Sequence, residues 1–293
     1  MVTSHQITLP LYGCVTGILL PVQRFEILPG ISLRRGIFDI FSTPMMAFKE
    51  APEGSHTPGP WVPVKGASTS FKSRAELIIE DLAAVDGLTP SQAAWLIASL
   101  LRLRIEAPIR ISAVANVSLA SLMDRNDAWP LSFEAAPHQT GTFRAAQVTL
   151  TNDDLDWICE ALHIAARLSQ EERFTRALMI FDESVWSNRL DIGTVLIWTA
   201  LEILLDCSGA RRKTKAISSA LAEHIAHDKA DRDRAYNVIH DLYQKRGGVV
   251  HRGNRIEASD FAQLHSIARA AFLNVLGRKQ LPTRPSKKPQ QCV

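Results

Sequence analysis

The sequence predicts an α+β protein with a β-rich N-terminal region and an all-α helical bundle after it. Residues 1–70 are rich in Pro, Gly and β-branched or aromatic residues, which is typical of short strands joined by turns. After Thr151 the apolar residues follow a helical period almost to the end of the chain. We therefore expect a β-rich region with some helices at 1–150, a helical bundle at 151–280 and a disordered basic tail at 281–293.

In the first region, apolar segments bounded by Gly or Pro predict strands at GCVTGILLPV, RFEILP, ISLRRGIFDIF and WVPVKG. From Ser73 the apolar spacing changes, and RAELIIEDLAAVDG predicts a helix that ends at Gly87. Thr89, Pro90 and Gln92 predict the start of another helix, because they supply an N-cap, a Pro in the first helical position and a capping-box partner. Weaker strand patterns follow at IRISAVANVSL and TFRAAQVTL.

The helices of the second region begin at recognisable capping signals. Thr151 predicts the N-cap of a helix that runs to about Leu168, and SQEE from Ser169 to Glu172 is a capping-box sequence that opens the next helix. Four more helices are predicted at DIGTVLIWTALEILLD, KTKAISSALAEHIAH, ADRDRAYNVIHDLYQKR and SDFAQLHSIARAAFLNVLG. The short connections between them predict a bundle of antiparallel neighbours.

The composition excludes several classes of protein. With 46% hydrophobic and 22% charged residues the chain resembles an ordinary globular protein, and no apolar run approaches the length of a membrane span. The four cysteines form no CxxC pair and no cluster with histidine. We therefore expect a cytoplasmic protein with no membrane contact, no metal site and no cofactor.

The charge is distributed unevenly along the chain. Residues 207–293 hold 17 Lys/Arg and 7 Asp/Glu, a net charge of +10, whereas residues 1–206 carry −7. Clustered positive charge favours phosphate backbones, although we expect the Pro-containing tail to be a solvated, disordered segment. The candidate RNA-binding residues are Arg211, Arg212, Lys213, Lys215, Arg252 and Arg255.

The segment VLIWTALEILL, from Val195 to Leu205, is apolar on every side apart from Thr199 and Glu202. Such a helix is central and buried. A buried carboxylate is costly unless it is paired and hydrogen-bonded, so Glu202 requires a cationic or donor partner. A purely structural ion pair would also satisfy this requirement.

A candidate partner lies in the segment YQKRGGVVHRGN. Tyr243 and Arg246 continue an apolar stripe of the preceding helix, and the planar fork of Arg246 suits a carboxylate or a phosphate. On a regular helix His251 would point about 140° away from Arg246. We expect Gly247-Gly248 to interrupt or kink the helix and so turn His251 toward Arg246; the alternative is a plain helix end with a surface histidine.

Three segments in this order resemble the HEPN superfamily, and within it the Apea-like HEPN group. IWTALEILL resembles that group's buried "ALE" helix, and RFTRALMIFDES, from Arg173 to Ser184, resembles the helix that opens the domain. LYQKRGGVVHRG resembles the Tyr-x-x-Arg-x4-His signature, with Arg252 standing before the usual Gly. Active members commonly carry a polar residue directly after the Arg, where this chain has Gly247.

The resemblance implies a homodimeric, metal-independent endoribonuclease, with a role in bacterial defence or in a toxin-like stress response. It implies that His251 is the general acid/base, that Arg246 holds the scissile phosphate, and that Glu202 and Tyr243 support them. RNA would be the substrate or ligand. Since many members of the superfamily do not catalyse a reaction, the alternative is a non-catalytic module that binds nucleic acid or a partner protein.

Overall fold

A computed structural model describes residues 9–41, 46–48, 53–54, 61–63, 70–124, 134–135, 147–187, 189–207, 210, 212–252 and 255–283. At the ends of some elements, residues 249–252 among them, it describes the backbone only. The protein is α+β, as the sequence predicts. None of the described helices has the length and hydropathy that a membrane crossing requires.

The N-terminal region forms an antiparallel sheet whose strands lie in the order β3-β4-β7-β1-β8-β9. Two short pairs accompany it, β10 parallel to β2 and β5 antiparallel to β6. The strands are β1 (Leu11–Thr16), β2 (Ile18–Leu19), β3 (Arg24–Leu28), β4 (Ile31–Phe41), β5 (Met46–Phe48), β6 (Trp61–Pro63), β7 (Ser70–Ile79), β8 (Arg110–Ala115), β9 (Glu134–Ala135) and β10 (Val148–Thr149).

The helix predicted at residues 74–87 is wrong. The segment forms the central strand β7, which pairs with β1 on one side and β4 on the other, and only a short 3-10 turn follows at Ala83–Val85. Both faces of β7 are buried, so its apolar residues do not alternate and their spacing imitates that of a helix. Glu76 is fully buried there, and it pairs with Arg34 and accepts a hydrogen bond from the Leu119 amide at 2.6 Å.

The helices are α1 (Pro90–Ile105), α2 (Asn152–Leu168), α3 (Glu172–Ser184), α4 (Leu190–Leu204), α5 (Lys213–Ile225), α6 (Lys229–Arg252) and α7 (Ala258–Arg278). The capping box predicted at Thr89 and the N-cap predicted at Thr151 are both confirmed, and Thr151 also forms a capping box with Asp154. The box predicted at Ser169 is wrong, because its hydroxyl donates to the Ala165 carbonyl of α2 at 2.7 Å and α3 begins without a capping side chain.

One hydrophobic core runs from the sheet through the helices. It includes Leu11 and Leu77 of the sheet and Phe174, Trp198 and Phe272 of the helices, all at most 1% exposed. The division near residue 150 stays a prediction, and the two sides of it are packed against each other. Residues 284–293, most of the predicted tail, lie outside the described part of the chain.

The longest helix, α6, continues without interruption through Gly247 and Gly248 to Arg252. The predicted interruption of the helix at the two glycines is therefore wrong, and the alternative of a kink there stays a prediction. Glycine is a poor helix residue but costs only about 1 kcal/mol in a helix interior, and Gly247 does not adopt a left-handed conformation. Just before it, Lys245 anchors α6 to α7 through both carboxylate oxygens of Asp260 at 2.7 Å.

Candidate functional site

The candidate site is built around Glu202, near the C-terminal end of α4. Glu202 follows Trp198 by one helical turn, and both side chains are buried, with Glu202 only 7% exposed. This confirms the sequence-based expectation that the carboxylate lies in a poorly solvated place. Since an unpaired carboxylate is not tolerated there, its partners determine what the site can do.

Two residues hold the carboxylate at close range. The Tyr243 hydroxyl, from α6, donates to Glu202 Oε1 at 2.7 Å. Lys213 Nζ, from the first residue of α5, lies 2.5 Å from Glu202 Oε2. Each carboxylate oxygen therefore has one short, strong partner.

Arg246 is the third partner, and it lies farther away. Its Nη2 is 3.6 Å from Glu202 Oε1, which confirms the predicted ion pair but is too long for a hydrogen bond. Its guanidinium carbon is 5.4 Å from the centroid of the Tyr243 ring, within cation–π range. Its buried Nε has no hydrogen-bond partner among the described residues, although its side chain as a whole is 22% exposed. Arg246 is thus held in place, and its Nε donor is not used by the described residues.

Tyr243 supports this arrangement without taking part in proton transfer. Burial raises the pKa of its phenol far above the ordinary value, and the hydrogen bond to Glu202 raises it further. The Trp198 ring packs edge-on against the Tyr243 ring, with a centroid separation of 4.8 Å. The phenol therefore stays protonated near neutral pH and acts as a fixed donor to Glu202.

Cys207 lies beside the site but is not suited to nucleophilic chemistry. Its amide donates to the Glu202 carbonyl at 3.0 Å, and its thiol is buried. Burial, with the nearby charges of Asp206 and Glu202, raises the pKa of the thiol to about 11. The reactive thiolate form is therefore scarce at neutral pH.

The predicted RNA-binding residues occupy different environments. Lys213 is engaged with Glu202, whereas Arg212, Lys215 and Arg255 are exposed. Arg211 lies outside the described residues, and for Arg252 only the backbone is described. Arg212, Lys213 and Lys215 all stand at the start of α5, which has no acidic residue in its first turn and no capping side chain.

His251 belongs to the last turn of α6, and its side chain lies outside the described part of the molecule. Its backbone position is on the same continuous helix as Arg246, five residues later. In a regular helix that spacing places the two Cα–Cβ directions about 140° apart. The backbone between Arg246 and His251 is therefore not interrupted at the two glycines.

Two features elsewhere suit an anionic ligand less well. A cleft of about 310 Å³ between the start of α1 and the α2–α3 turn, bordered by Trp95, Gln170 and Met179, has no charged side chain in its lining. A buried pair, Arg102 and Asp182, has its charges bonded to each other at 2.6 and 2.7 Å. In the described ranges no group of three or more His, Cys, Asp or Glu side chains has a geometry that would hold a metal ion.

Sequence reasoning missed Trp198 and the contact that Lys213 makes. The sequence predicts Lys213 as an RNA-binding residue of the basic run RRKTK, and nothing local indicates that it would reach α4. Trp198 appeared only as an apolar residue of the central helix. The sequence feature that could have identified Trp198 is its position four residues before Glu202. Residues four apart lie side by side on a helix, so a partner of Glu202 also lies near Trp198.

Comparisons with protein-family models, with curated proteins and with solved structures find no match to this chain. The chemistry that the site can perform is therefore inferred from its geometry. In the site, the Tyr243 hydroxyl and the Lys213 ammonium each bind one oxygen of the buried Glu202 carboxylate. Arg246 lies beside them, and its Nε has no hydrogen-bond partner among the described residues.

Proposed function

We propose that this protein is a metal-independent endoribonuclease of the HEPN type, in which Arg246 binds the phosphate at the cleavage site. The state of Arg246 supports the proposal: Glu202 and Tyr243 hold its guanidinium, yet Nη2 stays 3.6 Å from the carboxylate and the side chain keeps 22% of its surface exposed. A phosphate oxygen that reached the exposed part of the guanidinium would match the planar fork of the side chain.

The chemistry would need no metal. The 2′-oxygen of the RNA bonds to the adjacent phosphorus as the 2′-hydroxyl loses its proton. The bond from phosphorus to the 5′-oxygen breaks as that oxygen gains a proton. The products are a 2′,3′-cyclic phosphate and a 5′-hydroxyl. An imidazole transfers protons near neutral pH, which is the role of His251 in the proposal, and a guanidinium stabilises the charge on the phosphate oxygens.

A homodimer is part of the proposal. Within one chain the regular helix turns His251 about 140° away from Arg246. A dimer in which the C-terminal ends of two α6 helices meet would surround one phosphate with two arginines and two histidines. Arg246 of one chain would then work with the histidine of the other, and no break at the glycines would be needed.

A second candidate is a module that binds RNA without cleaving it. The observation that favours it is the uninterrupted course of α6 through Gly247 and Gly248. This course provides no local means of bringing His251 to the phosphate held by Arg246. Arg246 would bind phosphate in the same way under either candidate.

The test uses end-labelled single-stranded RNA in excess EDTA, with the wild-type protein and the Arg246→Ala and His251→Ala variants. We expect wild-type cleavage that leaves cyclic phosphate ends. Arg246→Ala should weaken RNA binding about tenfold, as for the loss of one charge-assisted contact. His251→Ala should lower the cleavage rate by a factor on the order of 10² to 10⁴ and leave affinity nearly unchanged. Arg232→Ala, on the exposed part of α6, is the matched control.

The outcomes separate the two candidates. RNA binding that requires Arg246, with no cleavage by any form of the protein, would establish the binding module and reject the nuclease. Cleavage that survives in His251→Ala would reject the assigned proton transfer. An RNA affinity that is the same in Arg246→Ala and in wild type would reject both.

A further inference from the structure

Lys213 occupies an unfavourable place for a lysine. It is the first residue of α5, and the positive end of the helix dipole disfavours cations there. The flanking Arg212 and Lys215 are exposed, and no acidic residue of the first turn offsets them. The ammonium of Lys213 is instead bound to Glu202 Oε2, on another helix. At this position Lys213 therefore pairs with Glu202 and does not stabilise the start of α5.

Lys213 also shares the Glu202 carboxylate with Arg246. Oε1 accepts from the Tyr243 hydroxyl, and Oε2 is paired with Lys213. Arg246 Nη2 lies 3.6 Å from Oε1, outside hydrogen-bond distance. A carboxylate with a free oxygen close to a guanidinium favours the two-point, charge-assisted pair, which is the strongest geometry open to both groups.

We propose that Lys213 is a positioning residue that keeps Arg246 available for phosphate. It neutralises Glu202 and occupies the oxygen that would otherwise complete a two-point pair with the guanidinium. Without Lys213, Glu202 draws Arg246 into that pair, and the arginine donors are no longer free. The inference rests on the proposed function, in which Arg246 binds an RNA phosphate, and it replaces the expectation that Lys213 itself contacts RNA.

The first experiment measures Arg246 directly, without RNA. Phenylglyoxal modifies guanidinium groups, and peptide mass spectrometry gives the rate at each arginine, with the exposed Arg232 as internal reference. The variants are Lys213→Met, Glu202→Gln and the double variant. We expect Lys213→Met to slow the modification of Arg246 about tenfold, and we expect the double variant to restore it, because a neutral Gln cannot hold the guanidinium in an ion pair.

The second experiment measures the affinity for labelled single-stranded RNA by fluorescence anisotropy in the same variants. Lys213→Met should weaken binding about tenfold, and adding Glu202→Gln should recover most of the loss. Lys213→Arg, which keeps the charge, should bind nearly as well as wild type. Lys215→Met is the matched control on the same helix, and any small loss that it causes should not be recovered by Glu202→Gln.

The results distinguish this inference from the proposed function. If Arg246 is modified equally fast in wild type and in Lys213→Met, the inference is wrong. If RNA affinity falls in Lys213→Met and stays low in the double variant, Lys213 contacts RNA directly and the inference is again wrong. If modification follows the expected pattern while RNA affinity is indifferent to Arg246, the inference stands and the proposed function fails. Circular dichroism confirms folding of each variant, and Lys213→Gln replaces Lys213→Met if the latter does not fold.

Discussion

Two of the buried ion-pair clusters among the described residues each hold an arginine beside a carboxylate, and they differ in how completely the arginine is bonded. In the first, Arg102 of α1 makes a two-point pair with Asp182 of α3 at 2.6 and 2.7 Å and also donates to the Ile109 carbonyl. In the second, Arg246 lies 3.6 Å from Glu202 and its Nε has no partner among the described residues. We call them the closed cluster and the open cluster.

The arginine of the closed cluster is also more deeply buried than the arginine of the open cluster. Arg102 is 7% exposed, and the indole of Trp95 satisfies Asp182 a third time at 3.1 Å. The Arg246 side chain is 22% exposed. In the closed cluster a ligand would have to break existing bonds in order to enter, so the arginine is not available to an anion. An open cluster gives up some of those bonds and retains an arginine that can still bind an anion.

The largest expected effect follows from breaking the closed cluster. Asp182→Ala leaves Arg102 buried without its counter-charge, and the usual cost of such a change is about 3–5 kcal/mol. Urea unfolding measures the loss. The RNA affinity of the protein that remains folded should be unchanged, because the closed cluster does not contact the open one.

Asp191→Ala is the control for this prediction. Asp191 and Arg189 form an exposed pair on the surface, and such pairs contribute little to stability. Its unfolding curve should coincide with that of wild type. A loss below about 1 kcal/mol in Asp182→Ala would show that the closed cluster is not a structural anchor.

A smaller effect concerns pH, because His265 borders a small cavity together with Arg102 and Asp182. Burial lowers the pKa of His265, whose ring stacks on that of Phe181 at 5.3 Å. A lowered pKa means that the unfolded chain binds the proton more tightly. The contribution to stability is therefore complete above about pH 6.5, the unfolded value, and is lost as the pH falls toward the folded value.

Unfolding at pH 7.5 and pH 5.5 tests this expectation. The free energy of unfolding should fall between the two values, and His265→Gln should reduce that fall. A pH dependence that is identical in wild type and in His265→Gln would contradict the prediction.

Much of the open cluster could be predicted from sequence, because a buried glutamate on an apolar helix needs a partner and Arg246 ends an inward-facing stripe. The contact of Lys213 could not, because it depends on where α5 begins relative to α4. The connection between these helices gives no local signal of that geometry. Local patterns thus identified the charges on the long helices and missed the one at a helix start.

The errors in the predicted fold have physical reasons of the same kind. The sequence of β7 predicts a helix because burial on both faces removes the alternation that marks a strand. The capping box at Ser169 does not form because the Ser169 hydroxyl donates to the Ala165 carbonyl of the preceding helix. In each case tertiary contacts decided between two local structures that the sequence allows.

The smallest expected effect concerns the glycines that follow the open cluster. Gly247 lies inside α6, and a Cβ placed on it would meet no atom of the described residues within 4 Å, apart from its chain neighbours and the helix backbone. Gly247→Ala should therefore stabilise the protein by about 0.5–1 kcal/mol, because alanine loses less backbone entropy in a helix. Gly193→Ala in α4 is the contrasting control. The added Cβ would lie 2.8 Å from the Phe261 ring, so this variant should be less stable than wild type.

Chemical denaturation of both variants decides whether α6 is a regular helix beside Arg246. Destabilisation by Gly247→Ala would mean that the chain needs a non-helical backbone there, and it would restore the possibility that His251 turns toward Arg246 within one chain. Stabilisation with unchanged RNA affinity would mean that the helix is regular and that any histidine at the phosphate comes from a second chain. The backbone at Gly247 thus determines whether the open cluster can be completed within one molecule or needs two.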